Sequence, residues 1–244
     1  MQTLRRLLLV ACVLLAAPAH AQIAFVQANS TQTGGGTIAT SGSVTANNLL
    51  TLCAVVASAA DGTVTGVTDT RGSTWALADR VTLSNRDVSL WYATAGGTGT
   101  LTATVTVSGT LDSQHMVIAE HSGLLTSGVL GDTNINGPTT STSPSSGNVV
   151  TTSADALIVG CTGIAFSGQT YTATGSFTQR GIDVGQRSVY TDRIVASTGS
   201  YDATGTISSS EQWGVIGAEF KATGGGGGGS TPRRLTTLGV GDRQ

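Results

Sequence analysis

Glu120-His121-Ser122-Gly123 sets a carboxylate, an imidazole and a hydroxyl in a row. These are the groups that acyl-transfer enzymes combine. Successive residues of a strand point to opposite faces, so neighbours in sequence do not make a triad. The expected role of Glu120 is that of a strand-end carboxylate bonded to nearby backbone or hydroxyl groups. An echo supports this: Val117-Ile118-Ala119-Glu120-His121 matches Ile216-Gly217-Ala218-Glu219-Phe220. A residue that recurs in both copies serves the folding unit rather than a unique site. Beyond the leader the histidines are His115 and His121. On one strand they share a face about 20 Å apart, too far to share a metal. The chain has no Gly-x-Ser-x-Gly elbow, phosphate loop, paired-cysteine zinc motif or His-Glu-x-x-His. No catalytic residue and no metal ligand is assigned, and a non-enzyme is expected.

The acidic residues bear on two other chemistries. Glycoside hydrolysis needs two carboxylates across one cleft, roughly 5 to 10 Å apart. Asp61-Gly62, Asp69-Thr70-Arg71-Gly72 and Gly131-Asp132 are turn contexts instead. Calcium is the one cofactor that such loop oxygens would suit, but no loop has the regular acidic spacing of a calcium loop, so no cofactor is expected.

Binding chemistry rests on the aromatics. Trp75, Trp91, Tyr92, Tyr171, Tyr190 and Trp213 offer flat faces for sugar rings. Trp75, which follows a turn, Trp91 and Tyr190 are the candidate ligand-binding residues. Trp91 is out of phase with Val88, Leu90 and Tyr92. Either it faces solvent, or the phase is reversed, or both faces of its sheet are covered.

The elements that must hold these groups are strands. Composition is rich in Gly, Ser and Thr and poor in charge, and no 3.6-residue apolar stripe persists past the leader. The longest apolar run there is Asn47 to Ser58. Leu50, Leu52, Ala54 and Val56 share one face, and Leu49, Cys53, Val55 and Ala57 the other. Such a strand is central and covered on both sides. Further strands are expected at Ile23–Gln27, Thr37–Val44, Val64–Asp69, Asp87–Ala95, Leu101–Val107, His115–His121 and Glu211–Lys221. Polar residues 131–147, with two prolines, read as a long connecting loop.

The central strand has its own echo in Asp155 to Phe166. Asn47, Leu49, Leu50 and Cys53 match Asp155, Leu157, Ile158 and Cys161, an offset of 108. Gly99 to Thr104 matches Gly199 to Thr204 at an offset of 100, and the Glu120 and Glu219 segments match at 99. Three matches in order, with little drift, indicate an internal repeat. The expected fold is all-β: a two-sheet antiparallel sandwich, jelly-roll or double-Greek-key-like, built from two similar halves of roughly four strands each.

The ends complete the organisation. Residues 1–21 carry Arg5-Arg6, the apolar run Leu7–Ala17 and the Ala19-His20-Ala21 cleavage site of a secretory signal peptide. A competing lipoprotein-type box ends at Cys12. The β-sandwich domain spans 22–222, with halves at about 22–130 and 148–222. A Gly-rich linker (223–232) and a short tail (233–244) follow. Between Gln22 and Ala222 there are 7 basic and 13 acidic side chains, a net of −6, which argues against a nucleic-acid partner. No mature segment is long and apolar enough for a membrane span. Export to an oxidising compartment leaves two readings of Cys53 and Cys161: a disulfide, or two buried thiols.

Val67-Thr68-Asp69 with Gly72 and Trp75, Leu90-Trp91-Tyr92-Ala93, and Glu120 with Ser122-Gly123-Leu124 carry a resemblance. The chain resembles a loose group of secreted or virion-associated β-sandwich domains of bacterial surface and phage structural proteins, mostly without assigned activity. The resemblance covers most of residues 23–221. It implies a jelly-roll-like fold and a surface or adhesive role, with no catalytic residues. The expected function is therefore an exported binding or adhesion module, secreted or at the cell surface, with an extracellular glycan or cell-surface component as partner. One alternative is a structural subunit of a surface filament or virion, self-associating through the tail or an edge strand. The other is a polysaccharide-acting enzyme.

Overall fold

The structure, a computed structural model, describes residues 22–58 and 62–224. The leader with its cleavage site, the turn residue Asp61, and the linker and tail from residue 225 onward lie outside them. The described residues form sixteen strands and no helix. In the first half these are β1 (Ala24–Thr33), β2 (Thr37–Val44), β3 (Leu49–Ser58), β4 (Val64–Asp69), β5 (Thr74–Leu83), β6 (Arg86–Thr94), β7 (Gly99–Val107) and β8 (Leu111–Ser122). The second half has β9 (Leu130–Ser141), β10 (Ser145–Val150), β11 (Ala156–Ile164), β12 (Tyr171–Ala173), β13 (Thr178–Ile182), β14 (Ser188–Val195), β15 (Ser200–Ile207) and β16 (Glu211–Lys221).

The first half pairs its strands in the order β1-β8-β3-β6-β5 and, in a smaller sheet, β2-β7-β4. The second half gives β9-β16-β11-β14-β13 and β10-β15-β12. Adding eight to each label of the first half reproduces the second. The two-sheet sandwich of two similar halves is therefore present at twice the expected strand number: each half is itself an eight-stranded, jelly-roll-like sandwich. The seam falls between β8 and β9. Residues 131–147, expected as a loop, instead supply β9 and β10. The polarity of β9 is that of an edge strand, paired on one side and with no fully buried residue. Pro138 is accommodated where β9 bulges opposite Gly214.

The two five-stranded sheets stack face to face, which makes four layers. Strand β3 lies against β11, β8 against β14, β6 against β16, β1 against β13 and β5 against β9. In repeat terms, strand 3 meets 3 and strand 8 meets 6, as across a twofold axis running along the strands. Three cores result. One lies inside the first half (Leu50, Leu52, Trp91, Leu101, Ile118). Another lies inside the second (Ile158, Tyr171, Trp213, Val215). The third lies between the halves (Cys53, Val55, Leu90, Val117, Leu157, Cys161, Ile216, Phe220). Both faces of β3 are thus buried, as its sequence demands. The close stacking uses glycines: a Cβ at Gly214 would lie 2.7 Å from Val81 Cγ1.

Two details confirm the repeat. Asn47 and Asp155, 108 residues apart, both adopt left-handed backbone (φ 70° and 54°) at the bend entering the central strand, a conformation that Asn and Asp tolerate. Cys53 and Cys161 are joined in a disulfide with Cα atoms 5.4 Å apart. The bond links the same position of both copies, on the pseudo-twofold axis.

Candidate functional site

Glu120 and His121 leave β8 on opposite faces. Glu120, fully buried, turns into the first half. It accepts hydrogen bonds from Asn48 Nδ2 (2.6 Å), Gln27 Nε2 (2.6 Å) and the Thr45 N–H (2.8 Å). Glu219 does the same in the second half, taking the N–H groups of Thr152 and Asp132, each at 3.2 Å. Each carboxylate pins the loop that enters its half's central strand, the structural role expected from the repeat.

His121 faces the central core. Its Nε2 lies 2.7 Å from Asp192 Oδ2 on β14, and Arg180 Nε reaches the same carboxylate at 2.8 Å. The imidazole stacks on Tyr190, and Phe25 meets it edge-on. The Arg180 guanidinium lies over Phe25, 4.1 Å from the ring centre. His115, on the same face of β8, donates from Nδ1 to Asp183 Oδ2 (2.6 Å). Burial alone would push the Asp183 carboxyl up. The bonds from His115 and from the N–H groups of Ser188 and Arg187, with the His115 charge, outweigh it and hold the group below the ordinary carboxylate range. Both histidines thus bridge the two halves. Neither forms a triad: His121 Nδ1 is buried and meets no hydroxyl or other partner among the described residues.

Asp183 and Asp192 belong to no sequence motif. One signal pointed to them. His121 aligns with Phe220 in the repeat, and a titratable group in an apolar slot requires a polar partner when buried.

The three candidate binding aromatics are not brought together. Trp91 packs inside the first half at 7 % exposure. Val88 and Leu90, in the opposite phase, face the other half, so both faces of the sheet are covered, one of the alternatives above. Tyr190 is fully buried between the halves. Burial, reinforced by the Asp192 charge, pushes its hydroxyl well above the usual tyrosine range against the opposing 2.7 Å bond to Thr51 Oγ1. Neither ring offers a face to solvent, which corrects their assignment as ligand platforms. Trp75 is half-buried against the first-half core, with its indole N–H donating to Asp69 Oδ2 (2.7 Å). Asp69 also accepts the Arg71 N–H at 2.7 Å, as a turn carboxylate.

A different surface gathers amide and hydroxyl groups around a tyrosine. A groove of about 460 Å³ runs along the first half, between the bend at Asn47, the turn at Ser73 and the β8–β9 connection. Tyr92 and Ala76 line its apolar part. Asn47, Ser73, Thr74, Thr94, Thr126 and Ser127 supply amide and hydroxyl groups. Among the described residues, no charged side chain lines it. Tyr92 is half-buried and braced edge-on by Phe220, 5.6 Å between ring centres. The groove draws on four separate chain segments, so no sequence motif announces it. Among the described residues no group of three or more His, Cys, Asp or Glu side chains is placed to hold a metal ion.

No protein-family model, curated protein or solved structure matches this chain.

Proposed function

We propose that this chain is an exported, non-catalytic binding and adhesion module whose ligand is a neutral glycan held in the Tyr92 groove. The observation that carries the reading is the lining: hydroxyl and amide groups around one braced tyrosine, without charge. Sugar hydroxyls both donate and accept, as Asn, Ser and Thr side chains do. The apolar face of a sugar ring packs on an aromatic ring. A carboxylate pair for hydrolysis is missing from the lining, which supports binding over turnover. The interhalf disulfide suits an oxidising exterior.

The test is a glycan array followed by calorimetry on the best ligand. Thr126 is exposed on the rim, so Thr126→Arg blocks the groove without touching the core. Affinity is expected to fall about ten-fold or more, one decade for each ~1.4 kcal/mol. An array on which the unmodified protein retains no neutral glycan overturns the reading.

The second reading is a structural subunit of a surface filament or virion. The observation favouring it is β9, a twelve-residue edge strand that pairs only with β16 among the described residues. A free edge accepts a strand from a neighbour. Concentration-dependent assembly in sedimentation would favour this reading over the first.

A further inference from the structure

Both ends of the described chain meet at one pocket. It has a volume of about 430 Å³, and Gln22 and Gly224 both line it. Ile23 enters from the first half, and Ile194, Val195 and Ala222 from the second. Ile23 and Ala222 also belong to the central core. The pocket is therefore an opening at the end of the core between the halves. Ile194 is 45 % exposed there, although its cross-strand neighbour Leu157 is fully buried in that core. Asp155, held in the left-handed bend before β11, is the only charged side chain of the lining among the described residues. Its carboxylate pairs with no cation among the described residues.

The chain continues from this rim as glycines to Gly229, then Ser230-Thr231-Pro232 and Arg233-Arg234-Leu235-Thr236-Thr237-Leu238-Gly239-Val240. Two arginines followed by three aliphatic residues complement one carboxylate beside an isoleucine-lined opening. Residues 225–232 separate Gly224 from Arg233. A glycine-rich spacer of that length has a root-mean-square span of about 16 Å, so the following residues reach back to the pocket they left. Tethering through a spacer of that length gives roughly millimolar effective concentration, enough to populate a contact of modest intrinsic strength.

We propose that residues 233–240 dock into this pocket of their own chain. Leu235 and Leu238 cover Ile23 and Ile194, and the Arg233-Arg234 pair faces Asp155.

The test uses residues 22–244 with a benzophenone amino acid in place of Ile194, irradiated at high dilution, with cross-linked peptides mapped by mass spectrometry. A second probe at exposed Ala196, on the same lining, guards against a folding defect at Ile194. The expected product is a monomer cross-linked to residues 233–240. In Leu235→Asp/Leu238→Asp its yield should fall about ten-fold, since a carboxylate in place of a covered leucine costs at least a decade in affinity. Asp155→Asn, which keeps the left-handed bend and removes the charge, should lower it as well. Cross-links confined to dimers make the occupant a second copy and overturn docking within one chain. Probes that react elsewhere, or a yield unchanged by the aspartates, overturn the proposal altogether.

Discussion

The two flanks of the interface between the halves occupy equivalent positions of the repeat yet are built from opposite chemistry. On one flank β8 meets β13 and β14 through His115–Asp183 and through His121–Asp192 with Arg180. On the other β16 meets β5 and β6. Strand registers make Phe220 the counterpart of His121, and Tyr92 that of Asp192. Ala78 and Arg180 sit at matching bulges. Gly214 against Val81 replaces His115 against Asp183. One backbone arrangement thus holds either an apolar contact or a satisfied ionic one. The apolar flank gains from burial itself. The polar flank must first offset the desolvation of its charges. The disulfide on the axis clamps both alike.

Breaking the apolar flank should cost most. Phe220→Ala, fully buried, is expected to lose about 4 kcal/mol in urea unfolding, from lost transfer energy and the cavity left behind. Cys53→Ala with Cys161→Ala removes the clamp and should cost about 3 to 4 kcal/mol, given the 108-residue separation it closes. A loss no larger than that of an ordinary surface variant would mean that packing alone holds the halves together. On the polar flank, Asp192→Ala leaves His121 and Arg180 without their carboxylate and should cost about 3 kcal/mol.

The sharpest version of the comparison converts one flank into the other. His121→Phe with Asp192→Tyr and Arg180→Ala should be neutral or up to about 2 kcal/mol more stable, because an apolar set leaves no charge stranded and no desolvation to be offset. A clear loss would show that the polar flank is packed for its own residues. The smallest effect is in pH. The Asp183 carboxyl is held below its ordinary value of 3.8 in the folded state. Its contribution is therefore complete above that value and is lost as pH falls below it, toward the lower folded value. Thermal melts from about pH 5 to about pH 2, across the carboxylate range, should drop more steeply in the unmodified protein than in Asp183→Asn. The Asp183→Asn protein should begin from a lower melting temperature at neutral pH.

Much of this was written in short-range pattern. The two-sided apolar run of β3 requires cover on both faces, and it has it. The echo at β11 placed Asn47 with Asp155 and Cys53 with Cys161, and each pair takes the same backbone or bond. Glu120 and Glu219 were legible as unit residues because they recur. Strand β9 was not legible, because an edge strand has one pairing partner and no buried alternation to reveal it. In the second half, β12 has three residues and β13 five, too few for periodicity to register. The Tyr92 groove escaped notice because its lining comes from turns remote in sequence.

By itself, then, the sequence determined that the chain is all-β, duplicated and built around two matched central strands. Alternation and repetition are local properties, and they survive in the primary order. Only the tertiary structure decided what covers the second face of those strands. The answer is the other half, turned about an axis that brings equivalent cysteines within bonding distance and sends Trp91 and Tyr190 inward. Which residue meets which across that interface depends on the rotation between the sheets, and no spacing along the chain encodes it.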